Sequence, residues 1–163
     1  MQSKRKTEQI LDNVYLVLDN IRSIHNVGSI FRTAACAGVK EILLCGYTPE
    51  PTDRFGRIRK DFEKVSLGGE KEVLYTKVKT TEEALDKLHE KGVTVVAIEQ
   101  SPRATPFKNF KPTYPIAYVL GNEVDGIAQE ILERSDETLE IPLRGHIKES
   151  LNVSVVAGIV LFT

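Results

Sequence analysis

Three short stretches hold most of the residues whose types and spacing suit chemistry. The first is NIRSIHNVGSIFR, Asn20 to Arg32. From Val27 to Ala37 nearly every residue is small or apolar, yet Arg32 places a permanent guanidinium charge inside that run. The second is LGNEVDG, Leu120 to Gly126, a carboxylate between glycines; the third is IPLRGHIKESLNVS, Ile141 to Ser154, rich in hydroxyl and amide side chains. Gly121, Gly126 and Gly145 would let backbone amides and carbonyls come close to a flat ligand. Several chemistries are disfavoured. The turn after the first predicted strand has a single glycine where a dinucleotide fingerprint needs three, and a phosphate-binding P-loop is absent. His25, His89 and His146 stand apart from any cluster with metal-ligand spacing, and G-x-S-x-G does not occur.

The elements that must position these stretches are short apolar runs alternating with helical patterns. Strands are predicted at Val14–Asp19, Glu41–Gly46, Val73–Tyr75, Val93–Ile98, Ile116–Gly121 and Thr138–Leu143. Their apolar character is continuous rather than alternating, as strands covered on both faces require. The clearest helix is Thr81–Lys91, with Thr80 and Glu83 at capping-box spacing, Ala84, Leu85 and Leu88 on one face, and Gly92 to end it. The alternation predicts one α/β domain over residues 1–163, a mostly parallel sheet with helices on both faces. In such sheets ligands bind at the carboxyl ends of strands, where all three stretches fall. Gly46–Lys60 and Ser101–Pro115, rich in proline and charge, read as long loops of the kind that carry function.

At 163 residues, with 41% hydrophobic and 28% charged side chains, the chain suits one domain with a real core. No run reaches the roughly 20 apolar residues of a membrane span, and the N-terminus lacks the apolar stretch of a secretory signal. Cys36 and Cys45 lie in apolar runs and read as buried, reduced thiols, which favours the cytoplasm. Net charge is −1, but residues 1–60 carry a balance of +4 and residues 61–163 one of −5. A polyanion would land on the first third. There, DRFGRIRK sets Arg54, Arg57, Arg59 and Lys60 around Phe55, with cations for phosphates and a ring for stacking on single-stranded or loop RNA. Lys4, Arg5 and Lys6 would extend that patch; an ordinary solvated charge run is the competing reading.

Taken in order, HNVGSIFRTAACAG, YVLGNEVDGI and IPLRGHIKESLNVSVVAGI closely resemble the three motifs of the SpoU (TrmH-like) class of SPOUT RNA methyltransferases. The resemblance spans about residues 14–162. It implies methyl transfer from S-adenosyl-L-methionine to a ribose 2′-hydroxyl of tRNA or rRNA. It also implies a C-terminal segment threaded into a deep trefoil knot, a homodimer, and no metal. A catalytically inactive RNA-binding module of the same fold is the alternative. Two departures stand out: Gly145 to Ser150 is one residue longer than in most relatives, and neither a separate RNA-binding domain nor a C-terminal extension is expected.

The resemblance assigns catalysis to Arg32, Asn26, Glu123, Ser150 and Asn152, and cofactor binding to Leu120, Gly121, Ile141, Leu143, Ser150 and Leu151. Arg32, expected to face the strand ends, stays protonated and so suits stabilisation of an alkoxide or phosphate rather than proton abstraction. Asn26 orients Arg32 or the ribose, or else caps the helix. Glu123 pairs with Arg32, serves as an auxiliary base, or is merely solvated. Ser150 and Asn152 are expected to open the last helix. That segment, SLNVSVVAGIVLFT, is apolar on nearly every side, with Ala157 and Gly158 small enough to admit a second helix, and it predicts a two-fold contact through this helix.

Overall fold

The computed structural model describes residues 13–163; the Lys4, Arg5 and Lys6 cluster lies outside the described residues. Seven strands form one sheet: β1 (Val14–Asp19), β2 (Glu41–Cys45), β3 (Leu74–Val78), β4 (Thr94–Ile98), β5 (Thr105–Pro106), β6 (Ile116–Leu120) and β7 (Glu137–Glu140). Their order is β3-β2-β1-β6-β4-β7-β5, and every neighbouring pair is parallel. Chain order therefore reverses where β1 meets β6, the position at which an open parallel sheet leaves a crevice.

Period-two alternation splits the apolar runs between two cores. Val14, Leu16 and Leu18 of β1 join Ile116, Tyr118 and Leu120 of β6 on one face. Tyr15 and Val17 join Ala117 and Val119 on the other. The first face is covered by α1 (Ile24–Ala37), α2 (Lys60–Ser66) and α6 (Val153–Phe162), with α3 (Gly69–Glu72) packed on α1. The second is covered by α4 (Thr81–Glu90) and α5 (Gln129–Arg134). The expectation of a parallel sheet with helices on both faces is met.

Local signals explain most boundaries. Thr80 caps α4, accepting from the Glu83 N–H at 3.2 Å, and Gly92 follows at a φ of 73°. Ser23 caps α1, accepting from the Asn26 N–H at 3.1 Å, so Asn26 itself is not the cap. The helix ends at Gly38, whose left-handed φ of 73° lets its N–H turn back to the carbonyls of the last turn.

Several expectations need correction. The last strand stops at Glu140 rather than Leu143, and Pro142, lacking an N–H, cannot extend the ladder. The third strand runs to Val78, beyond Tyr75. The last helix begins at Val153, capped by Asn152 and not by Ser150: the Asn152 Oδ1 accepts from the Ser154 N–H at 2.8 Å. Lys60 belongs to α2, not to a loop. Cys36 is exposed, whereas Cys45 is buried and its thiol is pushed up to about 12 by that burial. Ala157 is fully buried against the sheet, so it is not available to a second helix.

Candidate active site

Beside the crevice, the carboxyl ends of β4, β6 and β7 open into a cleft of about 780 Å³, a size suited to a nucleoside-like ligand. Its walls are Ile98–Pro102 after β4, Leu120–Ile127 after β6, and Ile141, Leu143 and Glu149–Val153 on the way into α6. All six residues expected to bind cofactor line it: Leu120, Gly121, Ile141, Leu143, Ser150 and Leu151. Asn26, Glu123 and Asn152 line it too. Gly145 does not, and a side chain there would meet nothing within 4 Å. Gly121 is required by the loop itself, since a Cβ there would come within 2.8 Å of the Gly126 backbone.

One chain of hydrogen bonds ties the three motif segments together. The Glu123 carboxylate accepts from the Arg22 N–H at 3.0 Å, the Ser23 N–H at 3.1 Å and the Asn26 amide at 3.1 Å. Asn26, buried at the first turn of α1, accepts in turn from the Asn152 amide at 3.2 Å. Asn152 then caps α6 through its side-chain oxygen, which accepts from the Ser154 N–H. A negative charge at the start of α1 also complements that helix's dipole. Burial pulls the Glu123 pKa upward, but the N–H donors around it outweigh that and hold the carboxyl below its usual range. A carboxylate with both oxygens so engaged is a poor proton acceptor. The geometry makes it an anchor for α1.

Two features carried no sequence signal. Glu99, at the end of β4, accepts from the Gln100 N–H and the Ile127 N–H, each at 2.8 Å, and so fastens the β4 and β6 loops to each other. Gln100 donates to the Ile141 carbonyl at 2.9 Å, adding the third wall. Only contacts between residues far apart in the chain reveal these roles. For a bound adenosine derivative the cleft offers apolar walls (Ile98, Ile127, Leu132, Val156) and close backbone groups, and the acidic residues Asp125 and Glu149 are also on its lining, suited to a cationic ligand. The residues present fit S-adenosyl-L-methionine.

Arg32 is not part of this cleft. It is exposed on α1 and makes no ion pair among the described residues. Six residues separate it from Asn26, which on an α-helix is roughly 240° around the axis and about 9 Å along it. Pairing with Glu123 is therefore not formed. Of the predicted RNA-binding residues, Arg54, Phe55, Arg57 and Arg59 lie on the segment between β2 and α2 and Lys60 opens α2; none of them lines the cleft. The segment between β2 and α2 is an ordered arch: Thr52 bridges Ile58, and the Asp53 carboxylate accepts from the Phe55 and Arg57 N–H groups at 2.8 and 3.0 Å. Phe55 is 66% exposed, with the Arg54 and Arg57 guanidinium carbons 4.8 and 5.1 Å from its ring centre. Arg57 pairs with Asp53 and Arg59 with Asp61; Lys60 is exposed at the start of α2.

Known proteins share both the sequence and this architecture. YacO of Bacillus subtilis (strain 168), named as a TrmH family tRNA/rRNA methyltransferase, is 30% identical over 148 residues, covering 91% of this chain and 56% of YacO. The chain thus spans little more than half the length of that relative. An rRNA methyltransferase from Sinorhizobium meliloti, solved with AdoMet bound, superposes with a TM-score of 0.82 at 27% identity, over 92% of this chain and 54% of that one. An RNA 2′-O ribose methyltransferase superposes with a TM-score of 0.78 at 25% identity, over 99% and 60%. The model of the SpoU rRNA Methylase family matches residues 13–162, the whole span that carries the sheet, the cleft and the Glu123–Asn26–Asn152 chain, and this protein belongs to that family.

Proposed function

We propose that this protein methylates a ribose 2′-hydroxyl of tRNA or rRNA, using S-adenosyl-L-methionine held in the cleft. The observation that carries the reading is the Glu123–Asn26–Asn152 chain, which draws all three motif segments around one cofactor-sized space. When bound, the cofactor supplies an electrophilic methyl group on sulfonium sulfur. The chain's residues do the rest. Backbone groups of Leu120, Gly121, Ile141, Leu143 and Leu151 frame the adenosine, while Ser150 and Asn152 border the cleft mouth beside Asn26. Arg32, permanently charged, stabilises the alkoxide that develops on the ribose or its neighbouring phosphate. The deep trefoil knot belongs to the same reading, with the C-terminal segment threaded through it.

Because Arg32 lies off its own cleft, the reading includes a homodimer in which Arg32 serves the second copy. The surface of α6 supports this. Val153, Ala157 and Val160 face the core, but Val155 and Phe162 are 49% and 63% exposed, with Ile159 between them at helical spacing. An apolar stripe open to water favours burial against a like surface. The arch at Phe55 carries the RNA, its Arg54, Arg57, Arg59 and Lys60 on phosphates and its ring on a base. Cytoplasmic residence, where tRNA and rRNA are modified, completes the reading.

The test is incubation with methyl-labelled S-adenosyl-L-methionine and total tRNA or rRNA. Label should enter RNA at one nucleotide whose 3′ phosphodiester then resists alkali. Label on a base, or none, would defeat the reading.

A further inference from the structure

Outside the cleft, one buried side-chain oxygen lacks a partner among the described residues. Glu70, on the short helix α3, keeps only 8% of its surface exposed. Its Oε2 accepts from the Ser66 hydroxyl, itself buried, whereas its Oε1 is buried with no hydrogen-bond partner among the described residues. Native interiors rarely leave such an oxygen unsatisfied, because a buried carboxylate has lost its water and gained nothing in exchange.

Two glycine contacts locate this carboxylate. A Cβ on Gly28 of α1 would lie 3.2 Å from the Val65 Cβ and 3.6 Å from the Ser66 nitrogen, so Ser66 packs at Gly28. A Cβ on Gly69 would lie 2.8 Å from the Phe31 carbonyl and 3.0 Å from the Arg32 nitrogen, so the residue just before Glu70 rests on the backbone of Arg32. Gly28 and Arg32 are one turn apart on the same side of α1. The Ser66–Glu70 pair therefore lies along the turn of α1 from which Arg32 projects. Arg32 is the only arginine or lysine of α1, and it has no carboxylate partner among the described residues. An unfilled buried acceptor and an unpaired guanidinium thus sit against one another's elements.

We infer that Glu70 is the positioning residue for Arg32: when RNA is engaged, the guanidinium turns onto Glu70 Oε1, and this contact fixes the direction in which its remaining N–H groups face the ribose. A guanidinium presents several donors in a rigid fork, so holding one edge on a carboxylate orients the other. Ser66, bound to the second oxygen, keeps the carboxylate from rotating. The inference rests on the methyltransferase reading above and adds to it a residue that does not touch substrate or cofactor.

A double-mutant cycle tests it, with kcat measured on modified RNA for wild type, Glu70→Gln, Arg32→Lys and the double variant. In the wild-type background Glu70→Gln should lower kcat on the order of 10- to 100-fold, the scale set by misplacing a catalytic group, with cofactor affinity unchanged. In the Arg32→Lys background the same change should cost less than about twofold, since the fork it orients is gone. Equal losses in both backgrounds, or a loss expressed as weaker cofactor binding, would overturn the inference and leave the methyltransferase reading intact. Absence of transfer by the wild-type protein would defeat both. If Glu70→Gln does not fold, the wild-type protein decides the matter. The Arg32 Nε–H NMR signal should become protected from exchange when cofactor and RNA are added to it, and unchanged exchange would refute the contact.

Discussion

Helix α1 is flanked by two carboxylates that are treated in opposite ways. At its start, Glu123 has both oxygens taken by N–H donors from Arg22, Ser23 and Asn26. Near its middle, Glu70 is more deeply buried yet has one oxygen with no donor among the described residues. A saturated acceptor fixes geometry; the protein uses Glu123 to weld the β6 loop and α6 to α1. An unsaturated one carries a standing free-energy cost that a guanidinium could relieve. The first builds the cleft wall, and the second is poised for a change of contact.

The sharpest way to break this contrast is to remove the group that Glu70 is inferred to hold. Arg32→Ala should lower the rate of transfer by at least about 10²- to 10³-fold, the usual cost of losing a preorganised charge stabiliser. Calorimetry should show cofactor affinity within a few-fold of wild type, because Arg32 does not line the cleft. Loss of cofactor binding would place Arg32 on the wrong side of the comparison.

If Arg32 works on the second copy's cleft, a monomer should be inactive however well it binds cofactor. Val155→Glu or Phe162→Glu, on the open stripe of α6, should halve the mass seen by sedimentation and abolish transfer together. Val156 is a poorer probe because it also lines the cleft. An active monomer would refute the in-trans arrangement.

At Glu123 the expected change is in stability. Glu123→Ala strips the acceptor from three N–H groups and should cost about 1–2 kcal/mol, moderated because the site is only partly buried. The pH dependence follows from a folded-state pKa that the surrounding N–H donors hold below the usual carboxylate range. Its contribution is complete above the unfolded pKa and is lost as pH falls through the folded one. Urea midpoints measured from pH 6 down to 3 should fall less steeply for Glu123→Gln than for wild type. Parallel curves would mean that Glu123 is not the anchor described.

The smallest effect is expected at the Phe55 arch. Arg57 and Arg59 already pair with Asp53 and Asp61, so replacing both by Ala should flatten the salt dependence of RNA binding by less than about two units of slope. Arg54, with no such carboxylate partner among the described residues, should account for a larger share per residue. A slope unchanged by all three would show that the arch points away from RNA.

Much of this organisation is written in local sequence. The apolar runs of β1, β2, β4 and β6, the Thr80 cap and the Gly38 and Gly92 stops depend on neighbours within a few residues, so pattern and propensity suffice to read them. The three motifs likewise mark the cleft, and every residue that the resemblance assigns to the cofactor lines it. The arch between β2 and α2 reads as a loop because its order comes from Asp53 bonding to its own turn rather than from any apolar period. Tertiary structure alone decided the rest. It ended β7 before Pro142 and moved the cap of α6 from Ser150 to Asn152, since Ser150 and Leu151 line the cleft wall. It turned Glu123 from a possible base into an anchor, because its donors lie about a hundred residues earlier in the chain and meet it only across the β1–β6 junction. It left Arg32 outside the cleft, since helical geometry turns position 32 away from position 26. And it buried Glu70 under α1 through two glycines whose only signal is the space they vacate: charge and burial of a residue are set by what packs over it, which no stretch of sequence contains.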